Sequence, residues 1–344
     1  MSDTGNLLHY LHYDHSTGHP PYGDTFFHRP TGRHSDGRLI VDFLAEAIGL
    51  PFLPPYLAGQ GKHKFQQGVN FAIGGGTAAE TSFYEANGFP LPSYSFSLHD
   101  QMEWFKEMLP IFCSSLSECE YKLSRSLFIV GGIGGNDYHA ALSKGSSDYE
   151  IQTVLVPVMV DAISSAIQDL IELGARTLIV PGNYPVGCLP GALVLFPREG
   201  DYDQQTGCMN WLNKLTEIYN QRLQVELQHI QHQHPHVTIL FVDYYEIIME
   251  MFMSPEKYGF KEKPLVTCCG GGGPYNYNVS LQCGDGAKAC DDPSSSVIWD
   301  GIHLTETAYK IIATGLVQAL HALPSINIEC PHMDRIHNQA RRDV

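Results

Sequence analysis

The sequence predicts an α/β fold in which helices cover both faces of a parallel β-sheet. Short apolar runs bounded by glycine or proline alternate along the chain with amphipathic helical segments, and this order is typical of a parallel sheet. The run at 127–130 is apolar at every position, as in strands buried on both faces. The chain of 344 residues is 43% hydrophobic and 17% charged, which predicts a globular protein with a sizeable core.

The elements of this prediction follow from the spacing of apolar residues. Strand-like runs lie at 127–130, 176–182 and 236–244. Helical spacing predicts helices at about 39–48, 149–173, 209–232 and 305–323. We expect Pro157 to bend or delay the first turns of the second helix, and Gly174 to end it.

No linker rich in serine, proline or charge divides the chain, so we expect a single domain at 1–330 and a polar tail at 331–344. The formal net charge is −16, and the only basic cluster lies in that tail. Such a charge repels phosphate backbones and anionic lipid surfaces, so nucleic acid is not an expected partner. We find no apolar run of membrane-span length and no signal peptide at the start of the sequence.

Nine cysteines point to an oxidising compartment. They do not form C-x-x-C blocks with histidine partners, so a metal site is not expected, and disulfides in a secreted protein fit better. Cys188 could pair with Cys208, and Cys268 or Cys269 with Cys283 or Cys290, while the odd number leaves one cysteine unpaired. The triplet 278–280, Asn-Val-Ser, is an N-glycosylation acceptor, although so short a motif is common.

The segment 297–306 contains the first catalytic candidates. Asp300 precedes His303 by three residues with Gly301 between them, so one short loop can present both side chains. A histidine general base needs an acceptor on one ring nitrogen to fix its tautomer, and Asp300 can be that acceptor. By itself the spacing is weak evidence, because surface or helix-capping roles are common for such residues.

Two glycine-rich segments could hold an oxyanion. A β-prone run at 69–73 leads into Gly74, Gly75 and Gly76, whose amides are open to a ligand unless the glycines only form a tight turn. The strand at 127–130 leads into a second such segment, where the Asn136 amide could donate to a developing negative charge or form a turn with Asp137. Neither segment has the pattern of a phosphate-binding or dinucleotide-binding loop.

Two loops have both a structural and a functional interpretation. The arginines and aspartate of 29–38 could bind an anionic substrate, but structural ion pairs and turns are favoured. The cysteine- and glycine-rich segment 268–278 could line the substrate cleft or serve as a linker.

Five blocks in order resemble the plant GDSL esterase/lipases of the SGNH hydrolase superfamily. These blocks are Asp-Thr-Gly-Asn at 3–6, Asn-Phe-Ala-x-Gly-Gly at 70–75, Gly-Gly-Asn-Asp at 134–137, Pro-Gly-Asn with Gly-Cys-Leu-Pro at 181–190, and Asp-Gly-Ile-His-Leu at 300–304. The match extends over nearly the whole chain, which makes it far more specific than any single block.

The resemblance implies a flavodoxin-like three-layer α/β/α fold and a secreted serine hydrolase that needs no metal or other cofactor. By position, His303 resembles the general base, Asp300 its partner, Asn136 the side-chain oxyanion donor and Gly75 the backbone donor. The implied partner is a small-molecule ester, and we expect a monomer.

The nucleophile is where the chain departs from the family. The family block Gly-Asp-Ser-Leu leads into Asp-Thr-Gly-Asn, and Met1 falls on its leucine, so the expected serine lies immediately before Met1. The first strand and the signal peptide are expected to be missing with it. Ser2 is a poor substitute because it lies two residues further along, at a terminus that is expected to fray.

Three functional hypotheses follow. The complete form is expected to be a carboxylic-ester hydrolase, while the chain as given lacks the covalent route. The alternative is a catalytically inactive pseudoenzyme that binds a lipid or carbohydrate ester. A third hypothesis, a metal-dependent hydrolase using the histidines, requires that chelators abolish activity.

Overall fold

A three-stranded parallel sheet lies between two layers of helices in the computed structural model, which describes residues 1–59, 65–92 and 94–321. The strands are β1 (Leu127–Ile129), β2 (Thr177–Pro181) and β3 (Thr238–Val242), in the order β1-β2-β3. Ile179 of β2 pairs with Ile129 on one side and Leu240 on the other. All three predicted strands and the α/β class are therefore confirmed.

The four helices predicted at about 39–48, 149–173, 209–232 and 305–323 are confirmed, and the described residues form further helices that were not predicted. In chain order the helices are α1 (Asn6–Tyr10), α2 (Ile40–Ala47), α3 (Thr81–Ala86), α4 (Leu98–Phe112), α5 (Leu116–Ser124), α6 (Gly135–Lys144), α7 (Asp148–Glu150), α8 (Val156–Leu173), α9 (Pro190–Leu195), α10 (Asn210–Gln233), α11 (Tyr244–Met253) and α12 (Glu306–His321). Short 3₁₀ helices are Ser16–Gly18, Tyr56–Ala58, Val186–Cys188, Pro255–Tyr258, Pro274–Asn276 and Pro293–Ser295. A small antiparallel pair joins β4 (Cys269–Gly270) to β5 (Lys288–Ala289).

The helix predicted at 149–173 has an irregular start, as expected from Pro157. A π-helical segment, Ile151–Leu155, lies between α7 and α8, just before the proline, and Gly174 ends α8 in a left-handed conformation. An 18-residue window of the continuous helix 148–173 has a mean hydropathy of 1.6, so this helix is apolar and long enough to cross a membrane, which we did not expect from the sequence. This is weak evidence for a span, because 56% of its apolar window is buried and a buried core helix passes the same test.

The β-prone run at 69–73 does not form a strand. Asn70 makes only an isolated parallel bridge to Pro55. The Asn6 side-chain amide donates to the carbonyl oxygens of Asn70 (2.9 Å) and Ala72 (2.8 Å), which are the acceptors that a neighbouring strand would otherwise use. The buried Asn6 side chain therefore binds this run, and the β-prone segment 69–73 remains outside the sheet.

β1 is an edge strand that faces a large cavity. Its three residues are only half-buried, and 127–130 line a cavity of about 1070 Å³ together with apolar residues of α2 and α4. Parallel strands are normally buried on both faces and paired on both edges. Among the described residues, β1 therefore has a ladder partner, β2, on one edge only.

Four disulfides connect described cysteines. Cys188–Cys208 is confirmed, and the open alternatives resolve into Cys268–Cys290 and Cys269–Cys283. Cys113–Cys119 was not anticipated. Cys330 and the predicted tail at 331–344 lie outside the described residues.

The arginines of 29–38 that make ion pairs are structural, as favoured from the sequence. Arg33 donates two hydrogen bonds to buried Asp42 in α2, at 2.8 and 2.7 Å. Arg38 donates to Glu306 at the start of α12 through its guanidinium (2.8 Å) and its backbone amide (2.7 Å). These pairs attach the loop to two helices, α2 and α12.

We expect Arg33→Met to lower the free energy of unfolding by about 3–5 kcal/mol, because it leaves the Asp42 carboxylate buried without a partner. Arg198→Met is the matched control: Arg198 also binds an aspartate (Asp148) through two nitrogens and stacks on an aromatic ring (Trp211), but this pair is exposed. The Arg198→Met variant should lose less than about 1 kcal/mol of unfolding free energy. Chemical denaturation measures both, and equal losses would contradict this difference.

Candidate active site

Asp300 and His303 lie on one tight loop, as their spacing predicts. The loop is closed by a bridge between Ile298 and Leu304 and by a hydrogen bond from the Trp299 amide to the His303 carbonyl (2.7 Å). His303 Nδ1 lies 2.8 Å from Asp300 Oδ2 and 3.0 Å from Oδ1. Gly301 has a φ of +98°, and a Cβ there would meet the Tyr277 ring at 2.4 Å, so only glycine fits the turn.

The Asp300 carboxylate accepts hydrogen bonds from several directions. The amides of Ile302 (3.1 Å) and His303 (2.9 Å) donate to Oδ1, and the Tyr22 hydroxyl donates to Oδ2 (2.8 Å). Burial by itself raises the pKa of Asp300, but the neighbouring His303 charge and the hydrogen bonds outweigh it and hold this pKa below the ordinary value. Asp300 is therefore an ionised acceptor for His303 at neutral pH.

The glycine loop that contains Gly75 is held at both ends by buried carboxylates. The Gly74 amide donates to Asp3 (2.8 Å), and the amides of Ala78 (3.0 Å) and Ala79 (3.3 Å) donate to Asp137. Gly75 has a φ of +78°, and the nearest atom to a Cβ there would lie 3.8 Å away. The requirement for glycine is therefore conformational and not a matter of space.

Asn136 lies in the first turn of α6 and not in an Asn-Asp turn. Its side-chain amide donates to the Gly76 carbonyl (2.9 Å), which connects α6 to the glycine loop. The next residue, Asp137, also accepts the hydroxyl of Tyr84, and burial raises the pKa of Asp137. Asp3 and Asp137 were not among the predicted site residues, although Asp3 lies in the first recognised block and Asp137 follows Asn136 directly.

All four predicted residues line the same cavity. Gly75, Asn136, Asp300 and His303 face it together with residues 1–3, and Tyr277 of the 268–278 segment also lines it. Within the described part of the chain, no hydrogen bond joins His303 to Gly75 or Asn136. Of the segment 268–278, Tyr277 therefore lines the cavity that the four predicted residues share.

Residues 2–316 match the GDSL-like lipase/acylhydrolase family. The chain belongs to this family. Two GDSL esterase/lipases of Arabidopsis thaliana are 45% and 44% identical to it over 96% of this chain, covering 85% and 87% of their own lengths. A sinapine esterase of Brassica napus is 42% identical over 99% of this chain and 88% of its own length. As a member of the family, the protein is a hydrolase that acts on ester bonds.

A second histidine lies against His303 in this GDSL site. The ring centroids of His34 and His303 are 4.5 Å apart, and His34 is half-buried. Burial, the His303 charge and the α-amino group of Met1 together lower the pKa of His34 well below its ordinary value, so His34 is neutral at pH 7. No local sequence pattern indicates this contact, because His34 and His303 are far apart in the chain.

The histidines and acids of the GDSL site do not assemble into a metal site. Among residues 1–59, 65–92 and 94–321, no three histidine, cysteine, aspartate or glutamate side chains lie close enough together to hold a metal ion. The neighbours of His303 are instead one carboxylate and one neutral imidazole.

We expect Asp300→Asn to lower the free energy of unfolding at pH 7 by about 1–3 kcal/mol, because hydrogen bonds to a charged group are lost. The pKa of Asp300 is lower in the folded protein than in the unfolded chain, where it is about 4. The ionised carboxylate therefore stabilises the fold above about pH 4, and this stabilisation is lost as the pH falls through the folded-state pKa. The difference from the parent should therefore shrink below about pH 4. Urea unfolding from pH 7 to pH 3 measures this difference, and Asp291→Asn, at an exposed aspartate, is the control. A constant difference would contradict this expectation.

Proposed function

We propose that the complete protein is a carboxylic-ester hydrolase that works by serine acyl transfer. In this proposal His303 is the general base, Asp300 orients it, and the Gly75 amide with the Asn136 side chain holds the oxyanion. The observation that carries the proposal is the 2.8 Å contact between His303 Nδ1 and an ionised Asp300, inside the cavity that Gly75 and Asn136 also line. This is the base-and-acceptor arrangement that activates a hydroxyl nucleophile.

The proton transfers follow from the tautomer of His303. Nδ1 donates its hydrogen to Asp300, so Nε2 carries a lone pair that takes the proton from the serine hydroxyl. The serine oxygen attacks the ester carbonyl, the bond to the alkoxy group breaks, and His303 returns the proton to the departing alcohol. Water then attacks the acyl-enzyme by the same route and releases the acid.

The contacts of Asn136 support its proposed role. A side-chain amide has two N–H hydrogens, and the bond to the Gly76 carbonyl uses one of them. That bond fixes the amide plane and leaves the second hydrogen for a substrate oxygen. Asp3 and Asp137, which bind the loop on either side of Gly75, keep its backbone amide in place. Preorganised donors of this kind need no rearrangement when charge develops.

We propose that the nucleophile is a serine joined directly to Met1. Met1, Ser2 and Asp3 line the cavity, and the buried α-amino group of Met1 faces Asp3 and Asp300. The Ser2 carbonyl accepts a hydrogen bond from the Asn70 side-chain amide at 2.7 Å, which restrains this end of the chain. A residue attached to Met1 therefore enters the same cavity as His303.

We further propose a small-molecule ester with an apolar or aromatic group as substrate. Tyr184, Tyr277 and Ile302 line the cavity with His303, and aromatic rings favour such groups. The four disulfides support a secretory location, where the acceptor Asn278 would be glycosylated. We propose that the protein acts as a monomer.

The test compares this chain with a version extended by an apolar strand ending in Gly-Asp-Ser, with the serine joined to Met1, using p-nitrophenyl acetate and butyrate. We expect activity only in the extended protein, with a fall of about 10⁴-fold or more in kcat on His303→Ala or on replacement of the added serine by alanine. Activity of this chain alone that depends on His303 would transfer the nucleophile role to Ser2. An extended protein that folds and binds esters without cleaving them would favour the pseudoenzyme hypothesis.

Asn136→Ala in the extended protein should lower kcat by about 10²–10³-fold and change KM little, because the amide acts on charge that develops in the transition state. Asn87→Ala is the matched control, since the Asn87 amide also donates to a backbone carbonyl, that of Phe83 (2.8 Å), but at an exposed helix end. Thermal unfolding of both variants measures how much the hydrogen bond from Asn136 to the Gly76 carbonyl contributes to stability. Unchanged kcat in a folded Asn136→Ala protein would remove Asn136 from the oxyanion hole.

A further inference from the structure

Tyr22 makes a direct contact with the proposed catalytic pair from a distant part of the sequence. Its hydroxyl donates to Asp300 Oδ2 at 2.8 Å, and the same oxygen lies 2.8 Å from His303 Nδ1. We propose that Tyr22 is a positioning residue that fixes the Asp300 carboxylate and thereby orients His303. This inference rests on the proposed function for its catalytic consequence, but the contact itself can be tested without catalysis.

The bonds to Asp300 divide between its two oxygens. Oδ1 accepts the amides of Ile302 and His303, both of which belong to the same loop as the carboxylate. Oδ2 accepts from the imidazole and from the Tyr22 hydroxyl. Tyr22 is thus the only one of these donors outside the 300–303 loop, and its bond restrains rotation of the carboxylate relative to the rest of the protein.

The Tyr22 ring is itself held firmly. It is 4% exposed and belongs to a small buried cluster with Trp299 and the disulfide-bonded Cys268, Cys269 and Cys283. Its ring meets Trp299 edge to face, with centroids 6.0 Å apart. The Cys269 amide donates to the Trp299 carbonyl (2.7 Å), so the disulfide pair supports both the tyrosine and the loop that it contacts. A rigid donor can impose a direction on the carboxylate, whereas a mobile one cannot.

Tyr22 remains a donor throughout the working pH range. Burial, followed by the charge of Asp300 and the hydrogen bond to it, raises the pKa of the Tyr22 phenol well above its ordinary value. Asp285 also faces Tyr22 electrostatically. The other titratable groups that face Asp300 are His303, His34, the α-amino group of Met1, Tyr184, Tyr277 and Tyr309.

Removal of the hydroxyl has two physical consequences. Asp300 loses one donor to its ionised form, so the pKa of Asp300 should rise towards its ordinary value. Oδ2 then has a single donor, so the bond from His303 Nδ1 should become stronger while the carboxylate becomes less restrained. A tyrosine that only fills space would produce neither effect on conversion to phenylalanine.

The experiment is proton NMR of the 344-residue chain and its Tyr22→Phe variant. The reporter is the far-downfield Nδ1–H resonance of His303, assigned by its absence in His303→Gln. In Tyr22→Phe we expect this resonance to shift further downfield and to be lost at a higher pH on acidification. Tyr138→Phe is the matched control, because Tyr138 is also buried and donates to a carbonyl, that of Leu215 (3.1 Å). It should leave the resonance unchanged.

In the extended protein, Tyr22→Phe should lower kcat about tenfold without a comparable change in KM. An unchanged resonance and unchanged kcat in a folded Tyr22→Phe protein would overturn the proposal. An altered resonance in an extended protein that cleaves no ester would support the contact and refute the proposed function. If Tyr22→Phe does not fold, 3-fluorotyrosine at position 22 replaces it: the stronger donor should move the resonance upfield, and no movement would overturn the proposal.

Discussion

The buried Asp300 carboxylate is the group on which the arrangement of this site depends. It receives Tyr22 from the N-terminal part of the chain and His303 from its own loop, and both contacts need it ionised. Burial opposes ionisation, but the neighbouring charge and the converging donors outweigh the cost. Any change that removes these donors therefore affects the orientation of His303 and the relative position of two distant segments.

Buried carboxylates also accept hydrogen bonds from backbone amides around the glycine loop that contains Gly75. Asp3 accepts the amides of Gly5 (2.7 Å), Asn6 (2.6 Å) and Gly74 (2.8 Å), while Asp137 accepts those of Ala78 and Ala79. Irregular backbone at a ligand site leaves amides without ladder partners, and buried carboxylates are strong acceptors for them. The buried carboxylates of Asp3, Asp137 and Asp300 thus bind loop segments that lie outside the sheet.

Local patterns in the sequence predicted much of this structure. Apolar runs gave the three strands, helical spacing gave the long helices, and the Asp-x-x-His spacing gave the contact between Asp300 and His303. The β-prone run at 69–73 did not become a strand, and the Asn6 side chain that binds its carbonyl oxygens is a contact that no local propensity reflects. Tyr22 and His34 were missed for a related reason: they meet the 300–303 loop only after the chain has folded back over more than 260 residues.

The central claim is that His303 and Asp300 activate a serine joined to Met1. Labelling with a fluorophosphonate ester, followed by peptide mass spectrometry, tests it most directly, because the reagent modifies only an activated nucleophile. In the extended protein we expect one modification, on the added serine, and its loss in His303→Ala. Modification of Ser2 or another native serine, or undiminished labelling in His303→Ala, would contradict the account.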